Sequence, residues 1–218
     1  MLTRGLSIPF LLCATACSSE GQEAGTSTDT GRSDAPAAAG GAIAGARVIG
    51  TIQATIDDEE RTWYVLETEI DGTPEASAFW YEPEPGKPQV LIGGYDAPDV
   101  AFHTAGAPAS DYTGSSISLI ISFDPGEIGN ATRLPADNGT GVFYMPSVVE
   151  GPLFGIADGR LEVSSLHAPR SGTGEVAGTF SGTMQIPPGS ERTLTVTDGR
   201  FEIEAFTYRE ELPGGGRW

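Results

Sequence analysis

The sequence predicts an all-β domain, antiparallel and arranged as a two-sheet β-sandwich, with a small up-and-down β-barrel as the alternative. Three observations carry this expectation. Apolar residues recur with period 2 rather than 3.6 wherever the chain is regular, turn sequences separate those runs at intervals too short for helical crossovers, and no extended window presents a helical stripe.

The elements follow in order across residues 47–210. Val48, Gly50, Ile52, Ala54 and Ile56 alternate with Ile49, Thr51, Gln53, Thr55 and Asp57, which predicts a strand with its even-numbered residues inward. The acidic run Asp57-Asp58-Glu59-Glu60 reads as a turn, and Trp63-Tyr64 begin the return strand. Asp71-Gly72 closes it. Phe79-Trp80-Tyr81 form a third run, ended by Pro83-Glu84-Pro85-Gly86. Ile117, Leu119, Ile121 and Phe123 alternate with Ser118, Ile120 and Ser122, and Asp124-Pro125-Gly126 and Asp137-Asn138-Gly139 supply the next turns. Val176, Phe180, Met184 and Ile186 share one face opposite Ala177, Thr179, Ser181, Thr183 and Gln185. After Pro187-Pro188-Gly189 the pattern resumes as Leu194 and Val196, then Phe201 and Ile203. Asp158-Gly159 and Asp198-Gly199 also read as turns. They belong to two similar segments, 157–166 and 197–206, which share Asp-Gly-Arg, apolar, Glu, apolar at an offset of 40 residues; two copies are too few for a solenoid, and a turn feeding an alternating strand accounts for both. Residues 211–218, with Pro213-Gly-Gly-Gly216 before Trp218, are expected to be a loose tail.

Charge narrows the function. Twelve Lys and Arg against 30 Asp and Glu give 12 − 30 = −18, with Lys87 the only lysine, so a nucleic-acid partner is excluded: phosphate recognition draws its affinity from basic side chains. The same charge favours a soluble monomer.

The N-terminus reads as a signal. Met1-Leu-Thr-Arg4 is a short basic n-region, Gly5–Ala14 an apolar h-region too short to span a bilayer permanently, and Ala14-Thr-Ala16-Cys17 a small-residue cleavage site. This site resembles the lipobox of bacterial lipoproteins, which implies cleavage after Ala16 and lipidation of Cys17; Ala14 departs from the family's usual Leu. Residues 1–16 are then the signal peptide. Residues 17–46 are a lipidated cysteine and a Ser/Gly/Ala-rich tether, expected to be disordered for want of apolar surface, with a reach of about 30 Å. The resemblance implies a membrane partner through the lipid at Cys17, and Ser18 implies the outer membrane. With Cys13 lost in the signal, no internal disulfide forms and the domain depends on its core.

The order Gly178-Thr-Phe-Ser-Gly-Thr183, a short connection, then Leu194-Thr-Val-Thr-Asp-Gly-Arg-Phe201 resembles the closing G-T-F and T-[ND]-G-x-F strands of a group of uncharacterised bacterial lipoproteins. That resemblance implies an exported β-sandwich and brings no activity or catalytic residues.

Chemical motifs are sparse. His103 and His167 stand apart without zincin spacing, no G-x-S-x-G is present, and phosphate-binding glycine motifs are missing, so the expectation is a non-enzymatic binding or structural module without a cofactor. A carboxylate-dependent hydrolase acting on envelope glycans is the enzymatic alternative. The acidic segments 57–60 and 137–140 are candidate oxygen ligands for Ca²⁺ and equally good turns. Trp63, Tyr64, Trp80 and Tyr81 are the candidate ligand-binding residues: adjacent aromatics on a strand point to opposite faces, and outward rings suit a glycan or an envelope protein.

Overall fold

The computed structural model describes residues 46–70, 73–100, 102–104, 107–108, 112–123, 128–136, 138–186 and 191–210. The expected signal peptide 1–16, most of the expected tether, the expected turns at 71–72, 124–127 and 187–190, Asp137 and the expected tail 211–218 lie outside them.

Among the described residues thirteen strands follow in chain order: β1 (Arg47–Ile56), β2 (Glu59–Ile70), β3 (Thr73–Ala76), β4 (Ala78–Glu84), β5 (Lys87–Tyr95), β6 (Phe102–Thr104), β7 (Ala107–Pro108), β8 (Ser116–Ser122), β9 (Ala131–Leu134), β10 (Gly141–Met145), β11 (Phe154–His167), β12 (Gly174–Gln185) and β13 (Thr193–Tyr208). The antiparallel all-β class is as expected. Hydrogen bonding runs from β1 to β2, β5, β8, β10, β11, β12 and β13, and β13 pairs back onto β1 with Ile52 opposite Phe201. Eight strands therefore meander up and down around one core. Opposed walls pack across it as in a sandwich, while the pairing continues around both edges as in a barrel, which leaves fewer free edges.

β3 and β4 are an insertion between β2 and β5. β3 folds back on β2; β4 pairs with β5 and lies parallel to Thr207–Tyr208 of β13. Ser77, between them, spans β2 and β5. Its N–H donates to the Leu66 carbonyl at 2.8 Å, its Oγ accepts from the Leu66 N–H at 2.9 Å, and the hydroxyl and carbonyl serve Gly93, each at 2.7 Å. A buried serine with all these groups satisfied ties the strands more directly than packing alone.

The core residues are those the alternation selects: Ile52, Ala54, Ile56, Ile117, Leu119, Ile121, Val176, Phe180, Met184, Val196, Phe201 and Ile203 are buried. One inward assignment is corrected. Val48 is exposed and Ile49 buried, because Val48 pairs with Leu66 while Gly50 pairs with Val65. The extra residue is a β-bulge that turns Ile49 inward. Bulges also replace two expected turns. Asp158-Gly159 lies inside β11, beside a register shift between Ile156 and Asp158, and Asp198-Gly199 lies inside β13, where Asp198 takes φ 53°. Asp198 is the extra residue relative to both neighbours, since Gln53 and Thr55 face Arg200 and Thr197 on one side and Phe180 and Gly182 face Gly199 and Val196 on the other. It changes the inward parity of β13 from even to odd.

Candidate functional site

The aromatic residues singled out in the sequence do not form an open platform. Trp63 is 0% exposed, its ring edge-to-face with Tyr144 at 5.7 Å and its indole N–H donating to Ser115 Oγ at 3.0 Å. Trp80 is 4% exposed; its ring lies against Tyr208 at 4.6 Å and its N–H donates to the Pro169 carbonyl at 2.9 Å. Both are core residues, so the ligand-binding assignment of Trp63 and Trp80 is corrected: an indole buried on every side has no face left for a sugar. Their neighbours do point outward, as strand geometry requires, and are covered there. Tyr64 packs with Leu66, Tyr95, Val100 and Tyr112 in a second small core outside the barrel wall. Arg209, paired with Glu75 at 2.9 Å, lies over the Phe79 ring at 4.8 Å. Tyr81 is half-buried and donates to Gln89 Oε1 at 2.8 Å.

The second core is pinned by Asp96, whose carboxylate accepts from the Tyr112 hydroxyl and the Ser115 N–H, each at 2.7 Å. Partial burial pushes the Asp96 carboxyl up, but the bonds from Tyr112 and Ser115 outweigh it and hold the group below the usual carboxylate range. Burial pushes Tyr95 up to about 12. Tyr112 rises as well, by burial and by its bond to the Asp96 carboxylate.

The candidate calcium segments have other work. Asp57 and Asp58, with φ 48° and 67°, form the two-residue hairpin turn between β1 and β2, and the Asp57 carboxylate accepts the Thr195 N–H at 2.7 Å. Asp137 lies outside the described residues, and Asn138 caps its own turn through the Thr140 N–H at 3.0 Å. Among the described residues no three of His, Cys, Asp and Glu are grouped to hold a metal. His167 is exposed at the end of β11.

The described hollows of appreciable size open on the outer wall. One, of about 350 Å³, lies between Tyr95, Tyr112, Ser116, Met145 and Val149, the last 59% exposed. The others form a polar trough over β9, β11, β12, β13, β1 and β2. A hollow of about 420 Å³ at Arg133, Asp158, Arg160 and Ser181 shares Arg160 and Ser181 with one of about 390 Å³ at Glu162, Thr179, Asp198 and Arg200. That in turn shares Asp198 and Arg200 with a third, of about 320 Å³, reaching Gln53 and Thr62. Gly159 and Gly199 line the trough. A Cβ on Gly159 would strike the Ser181 carbonyl, and one on Gly199 the Phe180 carbonyl and, at 2.7 Å, its ring, so β12 lies close between its neighbours only because both positions are bare.

The trough is where the repeated Asp-Gly-Arg segments meet. Arg160 faces Ser181 across one side of β12 and Arg200 faces Thr179 across the other. Sequence reasoning noticed the repeat but placed it in turns, and so missed Arg133, Arg160 and Arg200 as a set. No family model matches the sequence, and no curated protein or solved structure matches the chain.

Proposed function

We propose that this chain is a lipid-anchored module of a bacterial envelope, held at the outer membrane through Cys17, that binds its partner non-covalently on the outer wall of the barrel. The single observation that carries the binding reading is the division of the domain. Its interior is packed with side chains such as Trp63, Phe154, Phe206 and Met184, while the linked polar hollows, continuous over six strands, face outward. A filled barrel carries no ligand inside, in contrast to barrels that enclose a cavity. A recessed polar outer wall offers hydrogen-bonding groups in fixed rows. The anchor rests on the lipobox resemblance of Ala14–Cys17 and on the roughly 0.8 kcal/mol that each buried CH₂ of an acyl chain contributes to membrane attachment.

Palmitate labelling of the full-length chain tests the anchor: incorporation is expected and is lost in Cys17→Ala, whereas labelling unchanged in that variant removes it. The Cys17→Ala protein is then mixed with isolated envelope fragments. Cosedimentation without the anchor is expected of a binding module, and a protein that stays entirely in the supernatant overturns that role.

A further inference from the structure

The geometry points to an acidic polysaccharide, a glycan bearing uronate carboxylates, as the ligand of the trough along β12, with Arg160 and Arg200 gripping its carboxylates. This deepens the binding reading above and rests on it.

One pairing in the trough is of a kind that strand physics disfavours. Arg160 stands directly opposite Arg133 in the β9–β11 register, and like charges directly opposite are destabilising. Arg133 is 87% exposed and pairs with Asp158 at 3.4 Å; Arg160 has no ion-pair partner among the described residues. In a chain with 12 basic and 30 acidic side chains, an arginine set opposite another arginine and without an ion pair of its own breaks a local rule, and such breaks cluster at functional positions. Arg200 is the third, its Nε held by Gln53 Oε1 at 2.7 Å, which fixes the guanidinium and leaves its outer N–H groups for a ligand.

The spacing suits a chain molecule. Arg160 and Arg200 lie on β11 and β13, either side of β12, hence about 10 Å apart across the strands. Thr179 and Ser181 form the floor between them. Guanidinium forks match carboxylates bidentately.

Acidic groups in the same trough decide which anion fits. Asp158, Glu162 and Asp198 lie among the arginines, so the charge of the trough is near balance. A polyphosphate presents anionic oxygens alone and would meet these carboxylates as like charges. A uronate unit presents both complements: a carboxylate for arginine and hydroxyl donors for Asp158, Glu162 and Asp198. A neutral glycan lacks the first.

The test is affinity electrophoresis and titration of the full chain against polygalacturonate, with dextran and polyphosphate as the neutral and phosphate-only polymers. Binding to polygalacturonate, weakening with salt and absent for the other two, is expected. Arg160→Gln and Arg200→Gln each weaken it at least about tenfold, the loss of a charge-assisted hydrogen bond, and Lys87→Gln does not. Should either Gln variant fail to fold, Arg160→Lys keeps the charge but loses the fork and is expected to weaken binding without changing the melting temperature. No retention on polygalacturonate, equal retention on polyphosphate or dextran, or affinity indifferent to both arginines overturns the inference. If the Cys17→Ala protein still cosediments with envelope fragments while polygalacturonate fails, the acidic-glycan assignment falls alone; if both fail, the binding role falls with it.

Discussion

Replacing Trp63 by alanine removes the largest fully buried side chain among the described residues, together with its edge-to-face contact with Tyr144 and its hydrogen bond to Ser115. Burying an indole takes roughly 200 Å² out of water, about 5 kcal/mol at about 25 cal/mol per Å², and measured losses for buried aromatics cut to alanine run at about 3–5 kcal/mol. Ser115 is itself buried, so its hydroxyl loses a partner it cannot replace from solvent. The expected cost of Trp63→Ala is therefore about 4 kcal/mol, a fall in melting temperature of roughly 8–16 °C for a domain of this size. Trp63→Phe retains most of the ring and forfeits the N–H, so about 1–2 kcal/mol is expected. Combining Trp63→Phe with Ser115→Ala isolates the hydrogen bond: the double variant should lose about 1 kcal/mol less than the sum of the singles. Urea unfolding of the wild type and the four variants supplies the free energies, and a thermal melt of Trp63→Ala the shift in melting temperature. A loss below about 1 kcal/mol for Trp63→Ala would show that the indole does not support the core, and would return it to the surface role that its sequence context suggests.

Three further outcomes follow from the strand geometry and the buried phenols. Deleting Asp198 removes the bulge residue, which turns Leu194 and Val196 outward and Thr195 and Thr197 inward; at about 1.5–3 kcal/mol per aliphatic side chain the domain should lose at least about 3 kcal/mol in urea unfolding. Gly178→Ala places a methyl against the Glu162 carbonyl and, at 2.5 Å, the Phe201 ring, and a thermal melt should fall by several degrees. Tyr95, raised to about 12 against about 10 unfolded, binds its proton more tightly when folded, so its stabilising effect is complete below about pH 10 and is lost as pH rises from there towards 12. Tyrosinate absorbance and unfolding followed together should show stability falling over that window, and Tyr95→Phe should reduce the loss by roughly 2–3 kcal/mol.

Much of this architecture was legible because a strand sorts its side chains by parity. Ile117, Leu119 and Ile121 alternate without interruption, and the structure buries all three. Legibility failed at the bulges. At Ile49 nothing in the residue types marks the extra position, and only the pairing with β2 reveals it. At Asp198 a mark was present: inward residues pass from Leu194 and Val196 to Phe201 and Ile203, a change of parity within one strand. Asp-Gly reads as a turn because turns and bulges both call for a residue that tolerates positive φ, and Asp198 at 53° meets that need without leaving the strand. The aromatic pairs were half legible. Alternation correctly sends Trp63 and Tyr64 to opposite faces, but the cover over the outward face comes from the segment carrying Val100 and Tyr112, distant in sequence and without a pattern that announces it.

The arginine trough was hidden for a related reason. Net charge averages over the surface, and −18 argues against anionic ligands only if the basic residues are scattered. Whether they are scattered depends on register. Arg160 and Arg200 are 40 residues apart and meet across β12 because Gly159 faces Gly182 while Phe180 faces Gly199. A one-residue slip of either pairing would turn one arginine to the other face. The bulges set those registers, so the residues that defeated the strand reading also bring the two Asp-Gly-Arg segments together. Deleting Asp198 should therefore weaken the grip of the trough on an acidic chain as well as the fold. Arg200→Gln should weaken the grip and leave the fold intact, because Arg200 is exposed and its one hydrogen bond runs to an outward-facing glutamine.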